Sequence, residues 1–583
     1  MKRSVALAAV LSASLAHVGG EATAAGASLQ GELGRKLDAY MTRLEAHGFS
    51  GALLVTKAGH TVIQKAYGWA DKARGRRAAT DTVFDLGSVT KQFTGAAIVK
   101  LEAEGRLSTI DTLPRFFRDV PADKQAITLH HLLTHTSGLR SDFASDYEPV
   151  GREDYVQRTL ASKLLWPPGT RYEYSNAGYS LLAAIVEILS GQPYETYLRE
   201  RILKPLGIVE TGYKEPAWPP ERIAHGYRDG EDWGTIIERL APDGAPFWAL
   251  RGNGGIHTTM RDVRAWHEAL DTDAFLPAEA RRKLFAPYVN EDPSGGSQYA
   301  YGWVVEKTPR GTRDIWHNGG NGVYMAELHR YVDEGVLVFV ASTVAELEAS
   351  PVFRTISRIV FGEPFEMPPA TVSLSLGSVK AIAGTYRLPG GGEVTLQAWD
   401  GVLAATLRGQ DAYEAWHAPR DGELLRALTT WTRAIAAKAF AGDFAPLQAA
   451  GDGALSVDEV RAREAEMMDA GRSRHGGFKG FEVLGTVPRP NGLAVTEVRV
   501  DFERGSAYKR YVWREGRLLD VQGTPRLRPV RLVPTSEHEW TAFDVATGTG
   551  ARLLVPRSGP AAIEIQTAAG KRRAIRVAER SAP

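Results

Sequence analysis

Apolar residues recur at helical spacing over 33–44 and then give way to short runs with β character. The runs 51–55 and 61–63 predict two strands around a turn at Ala58-Gly59-His60. Val89, Phe93, Ala96, Ala97 and Leu101 form the apolar stripe of a further helix, which Gly105 ends. Strand-like runs return at 301–305 and 336–340. Strands so far apart predict one sheet built from both ends of a segment, with a helical middle.

A Pro-rich stretch at 364–369 reads as a linker, and the texture changes beyond it. The runs 384–389, 393–398 and 403–407 are short strands separated by turns. A helix is predicted over 424–440, with Leu424, Leu428, Trp431 and Ile435 as its apolar stripe, and another over 457–468. Strands follow at 481–484, 494–502, 509–513 and 518–521, and the short-strand texture resumes over 532–577. The expected organisation is a first domain over 29–362 and a linker over 363–372. A β domain split into 373–420 and 526–583 follows, interrupted by an α+β module over 421–525. A piece ending near residue 369 is expected to fold by itself.

Composition narrows the function. The 583 residues are 43% hydrophobic and 24% charged, an ordinary balance for a globular chain. A formal charge of +1 gives no global field for nucleic acid or an anionic membrane. The absence of cysteine removes disulfides, thiolate metal sites and a cysteine nucleophile. Met1-Lys2-Arg3, a short apolar run and Ala22-Thr23-Ala24 read as a signal peptide over 1–25, so a periplasmic or secreted protein without a membrane span is expected.

Three short motifs could carry chemistry. Ser88-Val-Thr-Lys91 places a hydroxyl and an ammonium on one helix face. The same spacing recurs in Ser506-Ala-Tyr-Lys509, within a strand-like run, so spacing alone decides nothing. Tyr174-Ser-Asn176 offers a phenol and an amide; the alternative is that Tyr174 only packs and Asn176 caps the helix at 181–189. His317-Asn-Gly319 offers an imidazole followed by backbone that a substrate can approach closely. His131 and His135 stand four apart, yet no glutamate follows His131, and no metal is expected there. Trp218, Trp233, Phe247 and Trp248 punctuate a long loop that either walls a cleft or simply packs.

Order and surroundings add what each motif lacks. Thr82-Val-Phe-Asp-Leu-Gly precedes Ser88. Downstream come Glu104-Gly-Arg-Leu-Ser108, Leu132-Leu-Thr-His-Thr-Ser-Gly138, Pro167-Pro-Gly-Thr-Arg-Tyr-Glu-Tyr174, Leu203-Lys-Pro-Leu-Gly207, Gly252-Asn-Gly-Gly255 and His317-Asn-Gly-Gly320. Over about 30–360 this series closely resembles the serine β-lactamase and penicillin-binding-protein-like hydrolases, on the branch of class C β-lactamases, D-stereospecific peptidases and esterases. Related enzymes carry S-x-x-K, S-D-N and K-T-G. Here Tyr174-Ser-Asn176 and His317-Asn-Gly319 stand in the second and third places.

The resemblance implies an antiparallel sheet flanked by helices, a helical lobe, and a site between them. It implies Ser88 as nucleophile, Lys91 easing its deprotonation, and Tyr174 relaying the proton to the leaving group. Asn176 would hold Lys91 and the substrate amide, and the backbone N–H groups of Ser88 and Gly320 would form an oxyanion hole beside Gly319. His317 is read as a mostly neutral donor that gains charge towards about pH 6.5. The later strands resemble a small lipocalin-like barrel, and the insert resembles a nuclear transport factor-like cone. The expectation is an exported serine hydrolase without cofactor, acting on a small-molecule or peptide substrate, as a D-amino-acid peptidase or esterase. The alternatives are a β-lactamase or D,D-carboxypeptidase, or a non-catalytic ligand-binding or regulatory protein.

Overall fold

The computed structural model describes residues 27–577, except 229, 241–246, 292–294, 400, 418, 420, 452–455, 490–491, 525, 528 and 546–549. The expected leader at 1–25 lies outside the described residues. Among those residues no helix is long and apolar enough to cross a membrane.

A nine-stranded antiparallel sheet organises the first part of the chain. At its centre Gly51–Lys57 pairs with Val336–Ser342, joining residues nearly 300 positions apart in the manner the sequence pattern predicts. Both strands are buried on both faces because side chains alternate. Leu53, Val55, Val338 and Val340 pack under helices Gly31–Ala46 and Ala349–Phe361. Ala52, Leu54, Leu337 and Phe339 face the opposite way, into the larger core shared with the helical lobe. The strand expected to begin at 301 begins at Val304 instead. Gly302 takes φ +83 in a turn, and a Cβ there would stand 2.4 Å from the Lys91 carbonyl oxygen, so the turn lies directly on the serine-bearing helix.

One buried histidine pins the sheet. His329 is stacked between Trp316 and Phe353, with ring centroids 4.9 and 3.6 Å away. Its two nitrogens meet Asp314 at 2.8 Å and Glu327 at 3.2 Å. Burial disfavours the charge, but the two carboxylates prevail and hold the imidazolium up to about 9. A raised histidine pKa stabilises the fold fully below the unfolded value of about 6.5, and that gain is gone once pH has risen through about 9. We expect the stability advantage of wild type over His329→Gln to shrink by about 3 kcal/mol between pH 6.5 and 10. Denaturant unfolding of both proteins across that range checks it; a constant gap contradicts the charged assignment.

Eight later strands close a barrel, from Gly384–Arg387 to Gly570–Arg576. The chain leaves it after Val402–Arg408 and returns at Val530–Pro534. Between them lie helices Gln410–His417, Gly422–Phe440, Ala445–Ala450 and Val457–His475, and a four-stranded sheet spanning 478–524. The buried stripe of Gly422–Phe440 differs from the expected one. Leu428 and Ile435 are inside, but Leu424 and Trp431 are exposed, and Leu425, Thr429, Thr432, Ala436 and Ala439 complete the inner face. The threonines tolerate burial because each hydroxyl donates to the carbonyl four residues back, at 2.9 and 2.8 Å.

The linker is tied to the first domain rather than spanning a gap. Arg43 donates to the Pro368 carbonyl at 3.1 Å, and the His47 ring to that of Pro369 at 3.0 Å. Val545 from the barrel joins the core beneath helix Gly31–Ala46. A piece ending near 369 would therefore uncover apolar surface of the first domain, which weighs against the expected independence.

Candidate active site

Ser88 sits in the 3-10 turn Gly87–Thr90, which runs into helix Lys91–Ala103. That helix is buried on every side, so Lys91 is carried into the interior with it. The Lys91 ammonium nitrogen lies 3.1 Å from Ser88 Oγ, 2.7 Å from Asn176 Oδ1 and 2.8 Å from the Asn253 carbonyl oxygen. Asn176 Nδ2 donates to Asp142 at 3.0 Å, which fixes its amide orientation and leaves Oδ1 for lysine. Burial lowers the Lys91 pKa to about 7, although Asp142 and Asp146 oppose the change. In the neutral amine two N–H bonds satisfy the two carbonyl-type acceptors, and the remaining lone pair is aimed at Ser88 Oγ.

Tyr174 completes this group. Its ring lies over the Lys91 nitrogen, 4.7 Å to the centroid, and its hydroxyl is near enough to Ser88 for that residue to affect its acidity. Burial pushes the phenol well above its ordinary range, with Ser88 opposing. Tyr174 therefore passes protons as a neutral phenol, and Lys91 is the group whose basicity matches neutral pH. His135, in a left-handed backbone conformation, backs the phenol with a ring contact of 4.2 Å and accepts from the Ser175 N–H at 3.0 Å. Helix Asn176–Ser190 is capped by Ser175, whose Oγ accepts from Gly178 N–H, so the capping alternative for Asn176 falls.

The third motif lies on strand Arg313–Gly320, and its glycines are needed for contact. A Cβ at Gly319 would come within 2.5 Å of Ser88 N, and one at Gly87 within 2.3 Å of Gly320 N. Asn321 N–H bonds the Tyr324 carbonyl at the turn, and Val332 N–H bonds that of Arg313 at the far end. Odd-numbered residues therefore bond the following strand, and Gly320 directs its N–H to the other edge. There the neighbouring strand has already ended, its last pair being Val304 with Trp316. The N–H of Gly320 thus opens towards the Ser88 turn, as an oxyanion donor requires.

His317 departs from expectation. It is buried, and its Nδ1–H donates to the Asn318 carbonyl, so Nε2 accepts from Tyr299 Oη at 2.9 Å. Both nitrogens are engaged, which leaves no donor for a substrate. Burial, helped by the Lys91 charge, pushes its pKa down to about 3, so it gains no charge near pH 6.

The other candidates disperse. His131 Nδ1 closes a capping box with Thr128, while His135 packs behind Tyr174, so the two do not converge. Asp71, His225 and Asp232 have ligand atoms within 4.8 Å of one another, but Asp71 already holds the Arg74 guanidinium at 2.6 Å. Trp218, Phe247 and Trp248 are buried packing residues; Trp233 is half-buried, against Tyr147 and Tyr324. Asn253, Asp142 and Tyr299 are site residues that the motifs did not assign. Gly252-Asn-Gly-Gly255 marked the first of them, and no local signal marks the other two.

Residues 35–358, more than half of the chain, match the family model described as Beta-lactamase. The chain belongs to the Beta-lactamase family. Within this family it is similar to penicillin-binding protein 4* of Bacillus subtilis (strain 168), 28% identical over 408 residues, covering 66% of this chain and 90% of that one. Its fold is similar to that of the octameric penicillin-binding protein homologue from Pyrococcus abyssi, with TM-score 0.51 and 18% identity over 92% of this chain and 99% of that one. A β-lactamase/D-alanine carboxypeptidase from Pseudomonas syringae matches 57% of this chain and its own full length, with TM-score 0.50 and 18% identity. Family members of this kind are serine hydrolases, and the cluster at Ser88 lies within the matched segment.

Proposed function

We propose that the protein hydrolyses an ester or amide through an acyl-enzyme on Ser88, with a D-amino-acid derivative or a neutral ester as acyl donor. The three-way hydrogen bonding of Lys91, which in the neutral amine leaves the lone pair for Ser88, carries this reading. Ser88 Oγ would attack the carbonyl as its proton passes to Lys91. The Tyr174 phenol would protonate the leaving group and be re-protonated from Lys91, and water would release the acyl group by the reverse path. The N–H groups of Ser88 and Gly320 would hold the oxyanion. The leader pattern at 1–25 supports action outside the cytoplasm.

Local charge supports the substrate class. The position after the oxyanion strand's tryptophan is a neutral imidazole, and Asp142 and Asp146 stand near enough to act on Lys91. A substrate carboxylate there meets repulsion, whereas an ammonium gains. We expect kcat/KM for D-amino-acid anilides or short nitrophenyl esters to exceed that for nitrocefin by about tenfold or more, equivalent to about 1.4 kcal/mol. Steady-state rates on the three classes test it. Nitrocefin turnover equal to the best ester, or release of D-alanine from muropeptides as the fastest reaction, overturns the substrate assignment. Stoichiometric fluorophosphonate labelling with no turnover of any substrate would point to a binding protein.

A further inference from the structure

Strands Gly226–Arg228 and Glu231–Gly234 pair as a small antiparallel hairpin that belongs to none of the family motifs. Its inner end meets the turn that follows Gly320. Arg228 donates to the Gly322 carbonyl at 3.0 Å. Tyr324 Oη lies 2.8 Å from the carbonyls of Ala224 and Gly234, and a Cβ at Gly226 would come within 2.5 Å of Val323. The root of the hairpin is also bonded to the segment leading into Ser88: Val83 N–H donates to Arg222 and Ala224 N–H to Val83.

The outer end meets the later modules. Gly230, at φ +72, lies under the indole of Trp399 from the barrel, and a Cβ there would stand 1.9 Å from Trp399 Nε1. Glu231 pairs with Arg526, from the segment that returns the chain to the barrel, at 3.3 Å. One hairpin thus touches the barrel at its tip and both oxyanion-bearing segments at its base. An exposed ion pair contributes little by itself, so the packing of Trp399 on Gly230 and the Arg228 hydrogen bond are the contacts that matter.

We propose that this hairpin is a strut through which the C-terminal modules hold the oxyanion turn in place, with Arg228 and Trp399 as positioning residues. Oxyanion donors act only if they sit where charge develops, and a shift of about 1 Å can cost ~10²-fold in rate. Neither residue reaches Lys91, so a loss through them should leave the proton-transfer step's pH dependence alone.

This inference rests on Ser88 being the acylated residue. The test uses the full chain with a short-chain nitrophenyl ester and an alkyl boronic acid, which forms a tetrahedral adduct at a serine. Arg228→Ala and Trp399→Ala are expected to lower kcat about 10-fold or more, with KM within about 2-fold, the same pH profile, and boronate affinity weakened in step with kcat. Arg228→Lys, which keeps a donor, should recover part of the loss. Thermal unfolding separates this from misfolding: a variant that unfolds at the wild-type temperature with wild-type kcat and boronate affinity overturns the proposal. So does a loss confined to KM. A wild-type protein that turns over no ester sinks both this inference and the reading of Ser88, whereas unaltered variants of an active enzyme sink only this one.

Discussion

Replacing Ser88 with alanine is expected to lower ester and amide turnover by about 10⁴–10⁶-fold, the scale on which a serine nucleophile counts in a preorganised site. Fluorophosphonate labelling should vanish with it. The internal control is Ser506→Ala. Ser506 and Lys509 repeat the spacing of Ser88 and Lys91, but on strand Gly505–Arg514, where residues three apart face opposite sides. Ser506 Oγ is taken by Asp501 at 2.7 Å, and Lys509 is buried against Glu464. Its removal should change neither labelling nor turnover. Mass spectrometry of the labelled peptide decides the case: label retained on Ser88→Ala, or found at Ser506, defeats the assignment.

That pair also shows what was legible in the chain. A three-residue spacing means different geometry on a helix and on a strand, and apolar periodicity distinguished the two. The apolar runs within Gly51–Lys57 and Val336–Ser342 likewise announced one sheet built from both ends of the segment, because burial on two faces leaves a continuous apolar run. Helix Gly422–Phe440 was readable as a helix but not in its rotation. Threonine looks polar in a sequence, yet Thr429 and Thr432 satisfy their hydroxyls within the helix and go inside, while Trp431 is left partly exposed and leans on Trp513 at 5.1 Å.

At the site, the residues on motifs came together, and the roles of those contributing through tertiary contact were not legible, even where a motif marked the residue. Asn253 acts through its carbonyl, a group every residue has. Asp142 matters because it orients Asn176, and Tyr299 because it occupies His317. None of these follows from spacing. His317 was read by the ordinary acidity of imidazole, and burial beside Lys91 overrode it.

The second large effect concerns Lys91. If the neutral amine receives the Ser88 proton, acylation should rise with pH through an apparent pKa near 7 and level off above it, because burial holds Lys91 at about 7. If the Tyr174 phenolate were the acceptor, the rate would keep climbing into the alkaline range, since burial raises that phenol. Asp85 could mimic the first profile: it is buried beneath Gly87, and burial pushes it up to about 7. Asp85→Asn separates them, because the limb must persist there if it belongs to Lys91. Lys91→Met should cost about 10²–10⁴-fold in acylation and remove the limb near neutrality, while Tyr174→Phe should cost rate on the same scale and keep the limb. Single-turnover acylation from pH 5.5 to 9.5 measures all four proteins. A limb that disappears in Asp85→Asn, or survives in Lys91→Met, would take the base role away from Lys91.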